Sequence, residues 1–121
     1  MSQATALLQN YSRGQRAFSG LSLANVNLSQ VDLKGSDLSY SDLSNVDLSQ
    51  ANLRGVDLSY ATLSKVDLHN ADLRGAMLIG TDLREARLDK ANLKDADYIA
   101  GTTQFPSNFD PTGAQMSSVE S

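Results

Sequence analysis

The chain has 121 residues, 40% apolar and 6% aromatic, enough for one domain whose core has to be built from leucine and small side chains rather than rings. It holds no cysteine and one histidine, which excludes a disulfide framework, a thiolate nucleophile and any multi-histidine metal site. The formal net charge of −4 disfavours non-specific contact with nucleic acid or anionic lipid, because both need a positive field.

The opening MSQATALLQNYSRGQ has no basic region followed by a long apolar run, so it reads as neither a secretory signal nor an anchor. No stretch reaches the roughly 18–20 apolar residues of a membrane span, and a cytoplasmic protein is expected. Ala6, Leu7, Leu8 and Tyr11 recur at helical spacing, with Gly14 as a stop. They predict a short capping helix over residues 4–12, within an N-terminal cap of residues 1–15.

From Leu23 to Leu93 leucine stands at every fifth position, fifteen in register, with Phe18 one step before and Tyr98 one step after. Five matches neither the 3.6-residue period of a helix nor the 2-residue period of a strand. A period of five requires a short unit that makes the same turn each time and stacks on its neighbours. Two residues before each leucine the side chain is small or β-branched, Leu21 excepted, and the residue between is mostly Asp or Asn. The two inward positions lie two apart, as on one side of an extended segment. The second residue after the leucine is Gly20, Asn25, Gly35, Asn45, Gly55, Asn70, Gly75 or Gly80 in eight units. Glycine and asparagine tolerate the positive φ that a type II turn demands there. Each pentapeptide is therefore a short extended piece ending in a corner.

A longer period counts the corners. LSQVDLKG at 28–35 recurs as LSQANLRG at 48–55, LHNADLRG at 68–75 and LDKANLKD at 88–95. Four pentapeptides thus make one turn, and residues twenty apart sit above one another. With ~4.8 Å between stacked strands, residues 16–100 make about four coils, a rod ~20 Å tall. Beyond residue 100 the period is lost. Phe105, Pro106, Phe109 and Pro111 predict an irregular C-terminal cap over 101–121, with the phenylalanines as anchors and a disordered end from about residue 114.

The units ANLRG (51–55), VDLSY (56–60), ADLRG (71–75) and ANLKD (91–95) resemble the pentapeptide repeat family, with its consensus A(D/N)LXX. The resemblance covers about seventy per cent of the chain. It implies an all-β solenoid, a right-handed quadrilateral β-helix; the handedness comes from the resemblance and not from the period. The tail TTQFPSNFDPTGA and the opening LLQNYSRGQRAFSG are similar to the terminal segments of cyanobacterial members.

Catalytic chemistry finds little support. His69 is outward, with Asp67 and Asp72 in neighbouring units, and reads as a solvated surface histidine rather than an acid, base or metal ligand. The aspartate column is spread over four faces, whereas a hard-cation site needs six or more convergent oxygens. Its expected task is hydrogen bonding near the corners and keeping the rod soluble. No enzyme, cofactor or metal is expected, and no catalytic residue is assigned.

Two outward columns are candidate interaction surfaces. One stacks Lys34, Arg54, Arg74 and Lys94, read first as a solvated column balanced by Asp32 and Asp72 and second as a docking ridge. The other stacks Tyr40 and Tyr60, with Met77, Ile79 and Ile99 at positions that should point outward. There, either Phe105 or Phe109 folds back over Met77, Ile79 and Ile99, or the face is a contact surface. The expected function is a non-catalytic interaction or scaffold module for an unidentified protein partner, acting as a monomer or weak homodimer. The resemblance also implies an alternative, a DNA-mimicking inhibitor of a type II topoisomerase. Residues 16–100 hold twelve acidic and nine basic side chains, interleaved, and a ~20 Å rod is shorter than one ~34 Å turn of DNA.

Overall fold

Every ladder residue from Leu28 to Leu83 is at most 1% exposed, and these twelve leucines are the largest fully buried side chains. The computed structural model describes residues 2–119. In each unit the bridging residue before the leucine pairs in parallel with the residue twenty further on, from Ala17 with Asp37 to Met77 with Asp97. These bridges stay isolated because the chain turns again before a second residue can pair. A corner follows each leucine. In fourteen units, from Val26 onward, the amide three residues after the leucine donates back to the leucine carbonyl, as from Val46 to Leu43 at 3.1 Å.

All sixteen corner positions from residue 20 to residue 95 have positive φ. Glycine and asparagine account for the eight read from the sequence. The others carry Gln30, Tyr40, Gln50, Tyr60, Lys65, Glu85, Lys90 and Asp95, with φ between 58° and 62°. L-residues with large side chains pay to sit there, so the stacked coils impose the corner on residues that would avoid it locally. The Asp/Asn column reinforces it. Oδ1 of Asp37, Asp42, Asp47, Asp57 and others accepts the amide two residues on, for example Ser44 N–H to Asp42 at 3.0 Å. Asn27, Asn52 and Asn92 do the same. The column is thus a series of side-chain-closed turns, as expected of its hydrogen-bonding role.

Helix α1 spans Gln3–Ser12, with Ser2 as N-cap accepting from the Thr5 amide. Leu7 is buried in the core cluster, with Ala4, Leu8 and Tyr11 packed against it. Tyr11 donates its hydroxyl hydrogen to the Lys34 carbonyl at 2.8 Å, tying α1 to the corner of the first coil, and the Arg16 guanidinium lies 3.7 Å from the centre of the Tyr11 ring.

At the other end the register slips. Asp82 bridges to Gln104, twenty-two residues on instead of twenty. Phe105 then stands where the next leucine would, edge-on to Tyr98 with centroids 5.5 Å apart, and Phe109 stacks on Phe105 at 5.1 Å. Thr103 follows the same column as Ser41 and Thr81, its buried hydroxyl donating to the Leu78 carbonyl at 2.6 Å. The chain then re-enters the ladder: β1 (Asp97–Tyr98) pairs in parallel with β2 (Ser117–Ser118). Met116 is buried, and the Val119 amide donates to the Tyr98 carbonyl at 2.9 Å. The expectation of a disordered end from residue 114 is therefore corrected for 114–119. A buried methionine and a twenty-residue spacing from Ala96 and Asp97 hold that segment in place. Glu120 and Ser121 lie outside the described residues.

Leu88 is the one leucine of the periodic run that is only half-buried, because no regular coil follows above it. Leu58→Ala is expected to cost ~2–5 kcal/mol in a guanidinium unfolding titration, and Leu88→Ala clearly less. Equal losses would contradict a core graded from centre to end.

Candidate functional site

Sorting the outward residues by coil places each predicted side chain. Tyr40 and Tyr60 sit at successive levels of one corner, rings stacked with centroids 5.3 Å apart and planes 16° apart. They are 67% and 54% exposed and, with Met77 at 41%, are the exposed large hydrophobic side chains among the described residues. Gly80 occupies the same corner one coil further, and a Cβ there would lie 2.5 Å from the Tyr60 ring. Glycine at 80 thus leaves the room in which the Tyr60 ring lies, and a side chain there would displace the ring from this position. The sequence reading missed that role, although the twenty-residue column Gly20, Tyr40, Tyr60, Gly80 carries its signal.

Met77 and Ile79 replace the Asp37/Ser39 and Asp57/Ser59 pairs of the coils before them, so the side-chain-closed turn is absent and apolar surface takes its place. Ile79 and Ile99 are half-buried. Phe105 packs on Tyr98 at the coil end, and the two phenylalanines line clefts beside Ser64, Arg84 and Glu85 and beside Ala86 and Leu88.

In the basic column Arg74 pairs bidentately with Asp72, Nε to Oδ1 at 2.9 Å and Nη2 to Oδ2 at 2.7 Å. Among the described residues Lys34, Arg54 and Lys94 have no carboxylate within 4.0 Å. Asp72 thus forms a close ion pair with Arg74, and the charge of Arg54 also acts on it. His69 Nδ1 lies 2.7 Å from Asp67 Oδ1, and Arg87 approaches both, with Nη1 3.6 Å from Asp67 Oδ2 and 3.3 Å from His69 Nδ1. Asp72 turns to Arg74 and does not join His69. No group of three or more His, Asp or Glu able to hold a metal occurs among the described residues.

A profile described as pentapeptide repeats, in eight copies, matches residues 17–50, 38–75, 51–89 and 67–97. The chain belongs to the pentapeptide repeat family. It is similar to alr5209, a pentapeptide repeat protein of Nostoc PCC 7120, at 49% identity over 95% of this chain and 94% of that one, with a TM-score of 0.93. A thylakoid-lumen member from Arabidopsis thaliana shares 32% identity over 74% of this chain and 61% of its own, with a TM-score of 0.53. HetL, a Nostoc PCC 7120 protein involved in heterocyst differentiation regulation, is 36% identical over 80% of this chain but only 47% of its own, with a TM-score of 0.41. No curated protein matches the chain. The family is thus one of β-helical solenoids, and no helix among the described residues is long and apolar enough to cross a membrane.

The family's aspartate column has an electrostatic consequence in this chain. The side-chain and backbone donors of Ser39 and Ser44 hold the carboxyls of Asp37 and Asp42 below their ordinary 3.8. Asp72 and Asp82 are lowered by hydrogen bonds from Arg74 and Arg84, against a smaller opposing effect of burial. At Asp67 burial pushes upward, but the bonds from His69 and the charges of His69 and Arg87 together outweigh it. Carboxyls that titrate lower folded than unfolded supply stability that is complete above their unfolded values and is lost as pH falls through the folded ones. The melting temperature should therefore hold steady from about pH 7 to 5 and fall below about pH 4. Asp42→Asn retains an Oδ1 acceptor, as at Asn27, Asn52 and Asn92. By differential scanning calorimetry that variant should melt within a few degrees of wild type at neutral pH and show a shallower acid loss.

Proposed function

We propose that this chain is a non-catalytic interaction module, a rigid right-handed quadrilateral β-helix of about four coils capped at both ends. It presents the face of Tyr40, Tyr60 and Met77 to a protein partner and acts as a monomer or weak homodimer. The twenty-residue register and the family's solenoid architecture support the shape. The observation that carries the function is the stacked, exposed Tyr40–Tyr60 pair on a backbone fixed by hydrogen bonds above and below. Tyr40 N–H donates to the Ser59 carbonyl, and Tyr60 N–H to the Ile79 carbonyl. Large aromatic side chains held rigidly lose little entropy on binding, and tyrosine is enriched where interfaces concentrate their energy.

The topoisomerase-inhibitor alternative is not favoured. Twelve acidic residues against nine basic ones within 16–100 leave a net charge of −3. Lys34, Arg54, Arg74 and Lys94 also place positive charge along one face.

The test is capture of partners from cell lysate of the source organism. Wild type would run beside Tyr40→Ala/Tyr60→Ala and Lys34→Glu/Arg54→Glu/Arg74→Glu variants, each checked for an unchanged melting temperature. A partner lost with the tyrosine variant and kept with the charge-reversed one is expected. The opposite pattern would move the working face to the basic column, and retention by both would remove both faces.

A further inference from the structure

The corner column Gly20, Tyr40, Tyr60, Gly80 is an aromatic ladder with one level left open. Tyr60 is enclosed on both sides, by Gly80 on one and by the Tyr40 ring on the other. Tyr40 stacks on one ring, that of Tyr60, and is the more exposed of the two. Its other face looks toward the level of Gly20, where a Cβ would meet no atom within 4 Å. A planar group seated there would continue the stack at the spacing of the coils.

The surroundings select the charge of that group. Asp37 lies three residues before Tyr40 on the same face, and Asp42 two residues after it, around the corner. Neither these nor Asp57, below Tyr60, has a cation within 4.0 Å among the described residues. Asp72 and Asp82, in contrast, are each satisfied by the arginine of their own unit. Arg16, the cation on the face of Tyr40, is engaged by the Tyr11 ring and by the carbonyls of Tyr11 and Gln15. The hydrogen bonds from Ser39 and Ser44 keep Asp37 and Asp42 ionised. An anionic group is repelled here, and an apolar one gains the ring but leaves the carboxylates uncompensated.

We propose that Tyr40 is the stacking platform for an arginine side chain of a basic partner segment, with the guanidinium in the level left open by Gly20 and Asp37 and Asp42 supplying the opposing charge. This rests on the interaction-module reading and names the chemistry of its partner. A guanidinium is planar, weakly hydrated and attracted to the face of an aromatic ring, so it answers both features of the site. A lysine ammonium answers the charge but cannot extend the stack.

The test uses the full chain, ¹⁵N-labelled, titrated with the peptide acetyl-Gly-Arg-Gly-Arg-Gly-amide and with the same peptide carrying lysine or glutamate. Saturable shifts at the Gly20, Tyr40 and Asp42 amides are expected, with arginine bound roughly threefold or more tighter than lysine and no response to glutamate. Tyr40→Leu should weaken the arginine peptide by a similar factor, whereas Tyr40→Phe should leave it unchanged. Shifts spread evenly over Asp32, Asp47 and Asp95, equal binding of lysine, or indifference to Tyr40→Leu would each overturn the proposal. Failure of the peptide while the tyrosine double variant still loses its captured partner would overturn the arginine assignment alone. Binding of the peptide while that partner survives the double variant would leave the stacking site standing and overturn the wider functional reading.

Discussion

A left-handed corner every five residues is the constraint on which the molecule depends. Each corner must be reached at positive φ, and eight of the sixteen carry side chains other than glycine or asparagine. Two local bonds hold the geometry in most units. The amide after the corner donates to the leucine carbonyl, and the Asp or Asn side chain accepts the amide two residues on. Neither suffices alone, because each is worth only about 1 kcal/mol net. The remainder comes from stacking, where each buried leucine contributes roughly 1.5–3 kcal/mol and coil-to-coil bonds align every unit with the next. Local turn and global stack are thus mutually dependent, as expected of a repeat architecture.

The same arrangement explains how the ends are finished. A coil with no neighbour exposes leucine and unpaired backbone, a liability on any sheet edge. At the start, α1 places Leu7 in the core and Tyr11 on the Lys34 carbonyl. At the finish the chain departs from its period, substitutes Phe105 for a leucine with Phe109 stacked on it, and returns through Met116 to pair with the last coil. The half-buried Leu88 marks the face where that cover is thinnest.

On the outside, fixed columns convert single residue choices into surfaces. Replacing an Asp/Ser pair by Met77 and Ile79 removes a polar turn and exposes apolar area beside Tyr60. A glycine at 80 admits a ring, and a glycine at 20 leaves a level empty. Arginine two residues after aspartate neutralises it within one unit, at Asp72 and Asp82, whereas serine at that place leaves Asp37 and Asp42 charged. Patterns of this kind let a uniform scaffold carry unlike faces.

Much of this was legible in the residues. The five-residue leucine period, the twenty-residue recurrence and the Gly/Asn corners determined the coil, its inward positions and the columns of Tyr40/Tyr60 and Lys34/Arg54/Arg74/Lys94, because they follow from backbone stereochemistry repeated unit by unit. The tertiary structure alone decided which way the tyrosine rings lean, that the Tyr60 ring lies over Gly80, that Arg74 forms a close ion pair while Arg54 does not, and that residues 114–119 are ordered. Those depend on contacts between coils: Met116 stands twenty residues after Ala96, but the leucine and Asp/Asn pattern that marks each unit is lost after Tyr98. A period read along the chain specifies what every unit must do. It does not specify how side chains settle where the period ends or where neighbouring levels leave room.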